Sequence, residues 1–466
     1  MGWMRLAWKG GTRLFAALAS VLLFGCVGSS PPGPAETGPT ETLPDTPIFY
    51  VDANAGADTN HGRTPQAAFK TLKRAASAVK PGCTVQVMNG TYTSNGNENP
   101  LTISISGTPD AWITFKAADG HHPVIQIPRG SNAWAGIHLL GVAYVIIDGF
   151  EVVGQRGSIT AAEAATNDGT QAWMNHNCIY IDGVGFGDVH PPVPHDIVIR
   201  NSTLHDCTAA GIEVNVADAI TIEHNRIYNT SWWTVFGTSG IGLYHLTDAP
   251  GSTTKNGYKN FIVGNLSYGN RNNLAFKGDV LPGVYDGNGI IVDDSKHTQR
   301  ALGIRDVQGV PYTGRTYIAN NIVHDNGGRG IHLYRSEHVD VVNNTSWNDM
   351  LSDSEYISAG QIDALESADV NVINNVVVNL NGKAVTINDG NRYECNLWDA
   401  TKVPFKGNQD ITGKALLADP ANGNFAPIAG SPALGSATNT LAPSDDFSGN
   451  PRPPGKIDRG AIQISR

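Results

Sequence analysis

Carboxylates are concentrated in one segment of the chain, Tyr285-Asp-Gly-Asn-Gly-Ile-Ile-Val-Asp293-Asp294. Asp286, Asp293 and Asp294 fall within nine residues, and the glycines between them let the backbone turn closely. Carboxylates held this close repel one another unless they bind a cation or take part in acid–base chemistry. The segment therefore predicts a calcium (Ca²⁺) site, of irregular form because its spacing differs from that of an EF-hand. The alternative interpretation is a polar turn with solvated aspartates.

Two later segments and one earlier segment also place titratable side chains after a glycine. They read Gly330-Ile-His-Leu-Tyr-Arg335, Gly360-Gln-Ile-Asp-Ala-Leu-Glu366 and Gly240-Ile-Gly-Leu-Tyr-His245. His245 and His332 are candidate acids or bases, because imidazole titrates near neutral pH. Carboxylates, imidazoles, an arginine and tyrosines at matching positions predict one functional cluster; chance assortment on a solvated face is the alternative.

These segments are copies of a longer repeat, spaced 23 to 56 residues apart. Each copy pairs a glycine-led strand with a second strand that ends at an asparagine. Polar and apolar residues alternate within each strand, which is typical of a half-buried strand. Because no copy could bury its apolar side alone, the copies must stack.

The asparagines mark one point of the repeat, just after the second strand: Asn201, Asn225, Asn265, Asn321, Asn344 and Asn375. Stacked at the strand spacing of ~4.8 Å, their amides can hydrogen-bond along a column. Over residues 130–390 the pattern resembles the asparagine ladder of the pectate-lyase-like superfamily. This resemblance implies an all-β fold: a single-stranded right-handed parallel β-helix with an N-terminal capping helix and a C-terminal covering tail. Apolar positions at Phe69, Leu72 and Val79 indicate the capping helix.

The two ends of the chain predict export and anchoring. Residues 1–25 have the basic and apolar regions of a signal peptide, and Leu23-Phe-Gly-Cys26 resembles a lipobox, which implies lipidation of Cys26. Residues 26–47 form a Pro/Gly/Ser/Thr-rich tether, 48–395 the β-helix with its cap, and 396–466 the tail. We therefore expect a monomeric lipoprotein of a bacterial envelope, on the outer membrane or cell surface, that touches the membrane only through its lipid. A plain signal peptide is the alternative.

Four cysteines remain beyond Cys26: Cys83, Cys178, Cys207 and Cys395. In an oxidising compartment an even number is compatible with disulfides, and Cys178–Cys207 is one of several pairings that the sequence leaves open. The net charge of 32 − 42 = −10 excludes a nucleic-acid partner, which would need a basic surface.

Long insertions fall on both sides of one strand of each copy, and two walls beside a parallel sheet form a trough suited to a linear polymer. Alternation places the isoleucines of these strands inward. It places Tyr244, Asp293, His332, Tyr334 and Asp363 on the trough face, with His245, Asp294, Arg335 and Glu366 at the following turn.

The resemblance implies a calcium-assisted polysaccharide lyase that acts on an acidic polysaccharide by β-elimination. Arg335 is the candidate base; binding of the substrate carboxylate is its alternative role, and Lys277 and Lys296 are reserve bases. A second possibility is a glycoside hydrolase that pairs Asp293 or Asp294 with Asp363 or Glu366, roughly 9–10 Å apart. A third is a non-catalytic glycan-binding or adhesion protein. Aromatic residues would bind sugar in each case: Trp232, Trp233, Tyr244, Tyr285, Tyr312 and Tyr334. For Trp232 and Trp233, packing within their own loop is the alternative.

Overall fold

A computed structural model describes residues 47–185, 190–251, 257–278, 283–299, 309–354, 357 and 360–464. The predicted signal peptide, Cys26 and all of the predicted tether before Pro47 lie outside these residues. No helix in the described part of the chain is long and apolar enough to cross a membrane.

Three parallel sheets run the length of the protein, and the chain visits them in turn, so the predicted parallel β-helix is confirmed. The trough sheet has eight strands: Leu101–Ile103, Ala135–Leu140, Asn177–Asp182, Ile212–Asn215, Ile241–Tyr244, Ile290–Asp293, Ile331–Tyr334 and Ile362–Leu365. The long-strand sheet has eleven: Ile48–Val51, Thr84–Val87, Ile113–Ala117, Ala143–Asp148, His195–Arg200, Asp218–Glu223, Tyr258–Val263, Arg315–Ala319, Glu337–Val342, Ala368–Ile373 and Arg392–Glu394.

The short-strand sheet also has eleven strands: Gly90–Tyr92, Pro123–Gln126, Glu151–Val153, Thr203–His205, Arg226–Tyr228, Leu266–Tyr268, Ile322–His324, Thr345–Trp347, Val376–Val378, Leu397–Asp399 and Ile411–Thr412. Parallel pairing thus continues to Thr412, so residues 396–412, which the sequence places in the tail, contain two strands of the coil. The core lies between the three sheets. Its inward positions include the predicted isoleucines of the trough sheet, all fully buried: Ile137, Ile179, Ile212, Ile241, Ile290, Ile331 and Ile362.

The N-terminal end of the coil is closed by the helix Leu72–Ala78. Thr71 caps its first turn by accepting a hydrogen bond from the Arg74 backbone N–H. Leu72 and Ala75 are buried in the main core beside Phe69, so the helix covers an end that would otherwise expose apolar side chains. The other helices are short: Ala161–Ala164 is α-helical, and Pro65–Ala67, Arg156–Ser158, Ala172–Met174 and Pro420–Asn422 are 3-10 turns.

The C-terminal tail forms an antiparallel pair, Leu417–Asp419 with Asn424–Pro427, and packs on the coil. Phe425 is buried against Ile322, and Arg452 donates to Asn320 Oδ1 at 2.9 Å. These contacts lie on the short-strand sheet and its turn, so the described tail leaves the trough sheet open.

The asparagine ladder runs from Asn225 through Asn265, Asn321, Asn344 and Asn375 to Asn396, which is bonded to Asp410. From Asn265 onward, each amide oxygen accepts from both the backbone N–H and the side-chain N–H of the asparagine one coil earlier, at 2.8–3.1 Å. Asn201 is outside the ladder, contrary to prediction: Ser202 occupies that position. Asn201 is exposed with φ of 53°, the left-handed conformation that asparagine tolerates.

Cys178 and Cys207 form a disulfide between neighbouring coils, while Cys83 and Cys395 are free and buried. The bond settles the pairing that the sequence left open. It closes a loop between residues 29 apart, next to the start of the trough wall.

Candidate active site

The trough sheet presents two rows of outward side chains in the register that alternation predicts. The first row is His138, Tyr180, Glu213, Gly242, Ile291, His332 and Asp363; the second is Leu140, Asp182, Asn215, Tyr244, Asp293, Tyr334 and Leu365. Neighbours in a row are one strand spacing apart, ~4.8 Å. Long connections before and after these strands form the walls, including residues 154–176, 269–278 and 283–289 on the entering side.

His332 is held by a buried carboxylate on the next coil. Its Nδ1 contacts Asp363 Oδ1, and Asp363 Oδ2 accepts from Arg329 Nε at 3.0 Å. Asp363 is fully buried; although burial opposes ionisation, the charges of His332 and Arg329 hold the pKa of Asp363 below its ordinary value. Asp363 therefore fixes the ring and its tautomer. His332 Nε2 has no hydrogen-bond partner among the described residues, and 5 % of the residue is exposed, so a ligand would meet this nitrogen only at the floor of the trough.

Three carboxylates lie in the trough on the N-terminal side of this histidine: Asp293 one strand away, Glu213 three strands away, and Asp286 in the connection before the Asp293 strand. Burial and the charges of Asp286 and Asp293 raise the pKa of Glu213 well above its ordinary value. Burial and the charges of Asp286 and Asp294 do the same for the pKa of Asp293. Burial also raises the pKa of Asp286, against the opposing charges of His332 and Arg329. Carboxyl groups in this cluster therefore keep their protons to higher pH than ordinary carboxyls do, which makes them candidate proton donors.

Gly242 makes room for the Glu213 carboxyl. A Cβ at residue 242 would lie 2.8 Å from Glu213 Oε2, so the carboxyl lies over the glycine. On its other side Asn215, with its amide oriented to satisfy both neighbours, donates to Glu213 Oε1 at 3.0 Å and accepts from the Tyr180 hydroxyl at 3.1 Å. Because residue 242 has no side chain, there is space above it for the Glu213 carboxyl.

His245 and Asp294 are not on the trough face, which corrects their predicted catalytic and metal-binding roles. Both are fully buried, with His245 Nε2 3.0 Å from Asp294 Oδ2 and the imidazole stacked on His297. Asp294 also accepts from the backbone N–H groups of Thr298 and Gln299 at 2.8 and 2.9 Å. The carboxylate is thus fully used in ordering the loop after its strand.

Arg335 and Glu366 lie at the rim of the trough and form an ion pair, with Nε and Oε2 2.8 Å apart. Burial opposes protonation of Arg335, but the bond to Glu366 and nearby negative charge raise the pKa of Arg335 above its ordinary value. A guanidinium held in its charged form is a poor proton acceptor, so binding of a carboxylate is the role of Arg335 that we carry forward. Its carbon Cζ lies 4.9 Å from the centre of the Tyr334 ring.

The reserve bases are also occupied. Lys296 Nζ donates to the Glu366 carbonyl at 3.0 Å, and Lys277 Nζ donates to the Asp168 carbonyl. Each lysine thus connects the segment that carries it to another part of the fold.

The predicted sugar-binding aromatic residues divide into two groups. Tyr244 and Tyr334 lie half-buried on the trough face, and the Tyr334 ring is stacked with His332 at 5.9 Å. Trp232 and Trp233 belong to the wall, and their indole N–H groups donate to the carbonyls of Gly269 and Arg156, both at 3.0 Å. The guanidinium groups of Arg156 and Arg271 lie over the Trp232 ring, which favours the alternative role of packing within the wall.

Tyr312 and Tyr285 are held differently. Tyr312 is buried, with its hydroxyl 2.6 Å from Asp218 Oδ1 at the long-strand sheet, so it is not a trough residue as predicted. The ring of Tyr285 packs edge-on against Phe276 on the entering wall.

The predicted calcium ligands are close enough to repel one another but are not arranged as a metal site. Among the described residues no three His, Cys, Asp or Glu side chains are arranged to hold a metal ion. Asp294 is committed to its loop, Asp286 Oδ1 accepts from Asn288, and Asp293 Oδ1 contacts Gln299. The three aspartates, as placed, do not fit a calcium ion.

Three members of the site were missed in the sequence. Glu213 and Gly242 are neighbours in the outward row. Aligning the repeats would have shown a carboxylate next to a position that has no side chain. Arg329 had no such signal, because a loop brings it under Asp363 and loops follow no alternation.

Neither a known protein family nor a curated protein matches the sequence. Among solved structures, the crystal structure of pectate lyase Pel9A has a TM-score of 0.56 and 16 % identity, over 90 % of this chain and 96 % of that chain. A rhamnogalacturonan lyase has a TM-score of 0.41 and 15 % identity over 75 % and 87 % of the two chains. A lacto-N-biosidase from Eubacterium ramulus has a TM-score of 0.45 and 14 % identity over 79 % and 67 %. The chain thus has the parallel β-helix fold seen in pectate lyase Pel9A.

Proposed function

We propose that this protein cleaves a uronic-acid-containing polysaccharide in the trough by β-elimination, with His332 as the base. The observation that carries the proposal is the arrangement of Asp363 and Arg329, which holds His332 through Nδ1 and leaves Nε2 without a partner among the described residues. An imidazole so oriented can remove the carbon-bound proton beside the uronate carboxylate.

The remaining residues supply the other needs of the elimination. Arg335, at the rim on the same chain segment as His332, can bind the substrate carboxylate and so stabilise the charge that develops as the proton leaves. The departing glycosidic oxygen needs a proton, and the carboxyls of Glu213 and Asp293, whose pKa values are raised, can donate one. Each elimination breaks the C–H bond and the C–O bond and forms one C=C bond.

Hydrolysis is the second candidate, and the carboxyl cluster favours it. The sequence predicts a catalytic pair of Asp293 or Asp294 with Asp363 or Glu366, and the structure does not leave these groups free. Asp294 is buried, Asp363 is bonded to His332 and Arg329, and Glu366 is paired with Arg335. Glu213 with Asp293 provides a different pair, in which one group holds a proton and the other can activate water.

The products discriminate between these functions. Purified protein incubated with pectate, alginate or a glycosaminoglycan yields a conjugated double bond, seen by ultraviolet absorbance, if it is a lyase. New reducing ends without that absorbance would show a hydrolase. Retardation in glycan gels without either product would show a binding or adhesion protein and overturn the catalytic proposal.

Calcium remains a prediction, and the proposed steps do not pass through it. A chelator tests it directly. If activity falls and calcium restores it, the ion binds in the trough and brings the carboxylates together. If activity is unchanged, the reaction needs no calcium, and Arg335 is the group that stabilises the substrate carboxylate.

We also infer export and anchoring through lipid at Cys26, with the coil acting as a monomer. The disulfide Cys178–Cys207 supports an oxidising compartment. Mass spectrometry of the mature N-terminus tests lipidation, and Cys26→Ala should release the protein from the membrane fraction. Sedimentation of that released form tests the monomer.

A further inference from the structure

A second concavity lies over the long-strand sheet, away from the trough. It has a volume of about 550 Å³. Ala219 and Thr221, on the strand Asp218–Glu223, form its floor. Because these side chains are small while those on the next strand, Tyr258–Val263, are large, the sheet has a depression at this strand.

Aromatic rings form the two sides of the depression. On one side the Tyr144 ring meets Trp112 at 5.6 Å and His195 at 5.2 Å, both edge to face. On the other side lie Tyr258, 37 % exposed, and Phe261, with ring centres 6.1 Å apart. Such rings offer flat apolar faces to the C–H bonds of a sugar ring. The rings on the two sides lie three strand spacings apart, ~14 Å, which is enough for a sugar ring between them.

The charged groups at this pocket are paired with one another. Lys259 is buried between Asp218 and Asp248, with Nζ–O distances of 3.1 and 2.6 Å. The exposed Asp196 is bonded to His195 Nδ1 at 2.7 Å. Lys259 therefore offers no exposed positive charge to an anionic ligand. The Tyr144 hydroxyl has no hydrogen-bond partner within the described ranges, so it can bond a ligand hydroxyl.

We propose that this pocket binds an uncharged pyranose unit of a glycan. Aromatic faces, a tyrosine hydroxyl and a carboxylate oxygen without an exposed cation are the chemistry that recognises a neutral sugar. The site is separate from the trough, and the inference does not depend on the proposed cleavage. It would hold a polymer to the protein at a second point and so raise its local concentration at the trough.

Calorimetry with neutral gluco-, manno-, galacto- and N-acetylglucosamino-oligosaccharides tests the proposal. Tyr144 has φ of 59°, so Tyr144→Asn removes the ring with a residue that tolerates this conformation. The protein carrying His332→Gln serves as the background, because its trough chemistry is disabled. We expect at least one oligosaccharide to bind to this background and Tyr144→Asn to weaken its binding about tenfold. Failure of every oligosaccharide to bind, or binding that Tyr144→Asn leaves within about twofold, overturns the proposal.

Discussion

The asparagine ladder gives a stability prediction whose size follows from the structure. Asn321 is fully buried, and its side chain makes four hydrogen bonds. Nδ2 donates to the Ile262 carbonyl at 2.8 Å and to Asn344 Oδ1 at 3.0 Å, while Oδ1 accepts from the backbone and side-chain N–H groups of Asn265 at 2.9 and 3.0 Å. Asn321→Ala removes all four without removing a charge.

The largest cost of Asn321→Ala is the backbone N–H of Asn265, which loses its acceptor in a buried turn. An orphaned buried donor costs about 1–3 kcal/mol, and the other lost bonds add about 1 kcal/mol. We therefore expect the free energy of unfolding to fall by roughly 2–4 kcal/mol. Urea denaturation measures the change as a lower midpoint at an unchanged slope, and hydrogen exchange of the Asn265 amide should accelerate.

Asn201→Gly is the matched control. Asn201 sits on an earlier coil, outside the ladder and exposed, and its φ of 53° is one that glycine adopts freely. Within the described part of the chain its side chain bonds only to Asp148, at 2.8 Å on the surface, so the expected cost is within about 0.5 kcal/mol. If Asn321→Ala costs no more than this control, the ladder does not stabilise the coil as argued.

Three further predictions concern the trough. Gly242→Ala should push the Glu213 carboxyl aside, because the added Cβ would lie 2.8 Å from Oε2; kcat should fall at least about tenfold while the melting temperature changes little. Glu213→Gln should raise the melting temperature at neutral pH. The native state keeps a proton on Glu213 to higher pH than the unfolded chain does, so the contribution of Glu213 to stability falls as the pH rises above the ordinary pKa of a glutamate. The difference in melting temperature between Glu213→Gln and the unaltered protein should therefore vanish below about pH 4. Arg335→Ala should raise KM for a uronate substrate, whereas Arg335→Lys should recover part of the loss; an unchanged KM in both variants would remove Arg335 from substrate binding.

The sequence predicts the sheets well because alternation is a local property. The inward isoleucines and the outward row from His138 to Asp363 follow from period two alone, and the structure pairs them in that register. The ladder was predicted from the repeats but with one residue misplaced, because Asn201 fills the left-handed position before the ladder and Ser202 fills the ladder position.

The turns and loops were less predictable for a physical reason. His245, Asp294, Arg335 and Glu366 all follow a trough strand with φ between 49° and 54°, yet two are buried and two reach the rim. The following loop decides the outcome: where the backbone of residues 298 and 299 folds back onto Asp294, the carboxylate is enclosed. The alternation of residues in the strand does not predict how the following loop folds.

The most direct test of the account compares the turnover of His332→Gln with that of the unaltered protein on a uronate oligosaccharide. Melting temperature and oligosaccharide binding are followed in parallel, so that loss of fold or affinity is seen separately. If His332 moves the proton, kcat falls by about 10²–10⁴ while binding and melting temperature are kept. A kcat within a few-fold of the unaltered value would contradict the central claim.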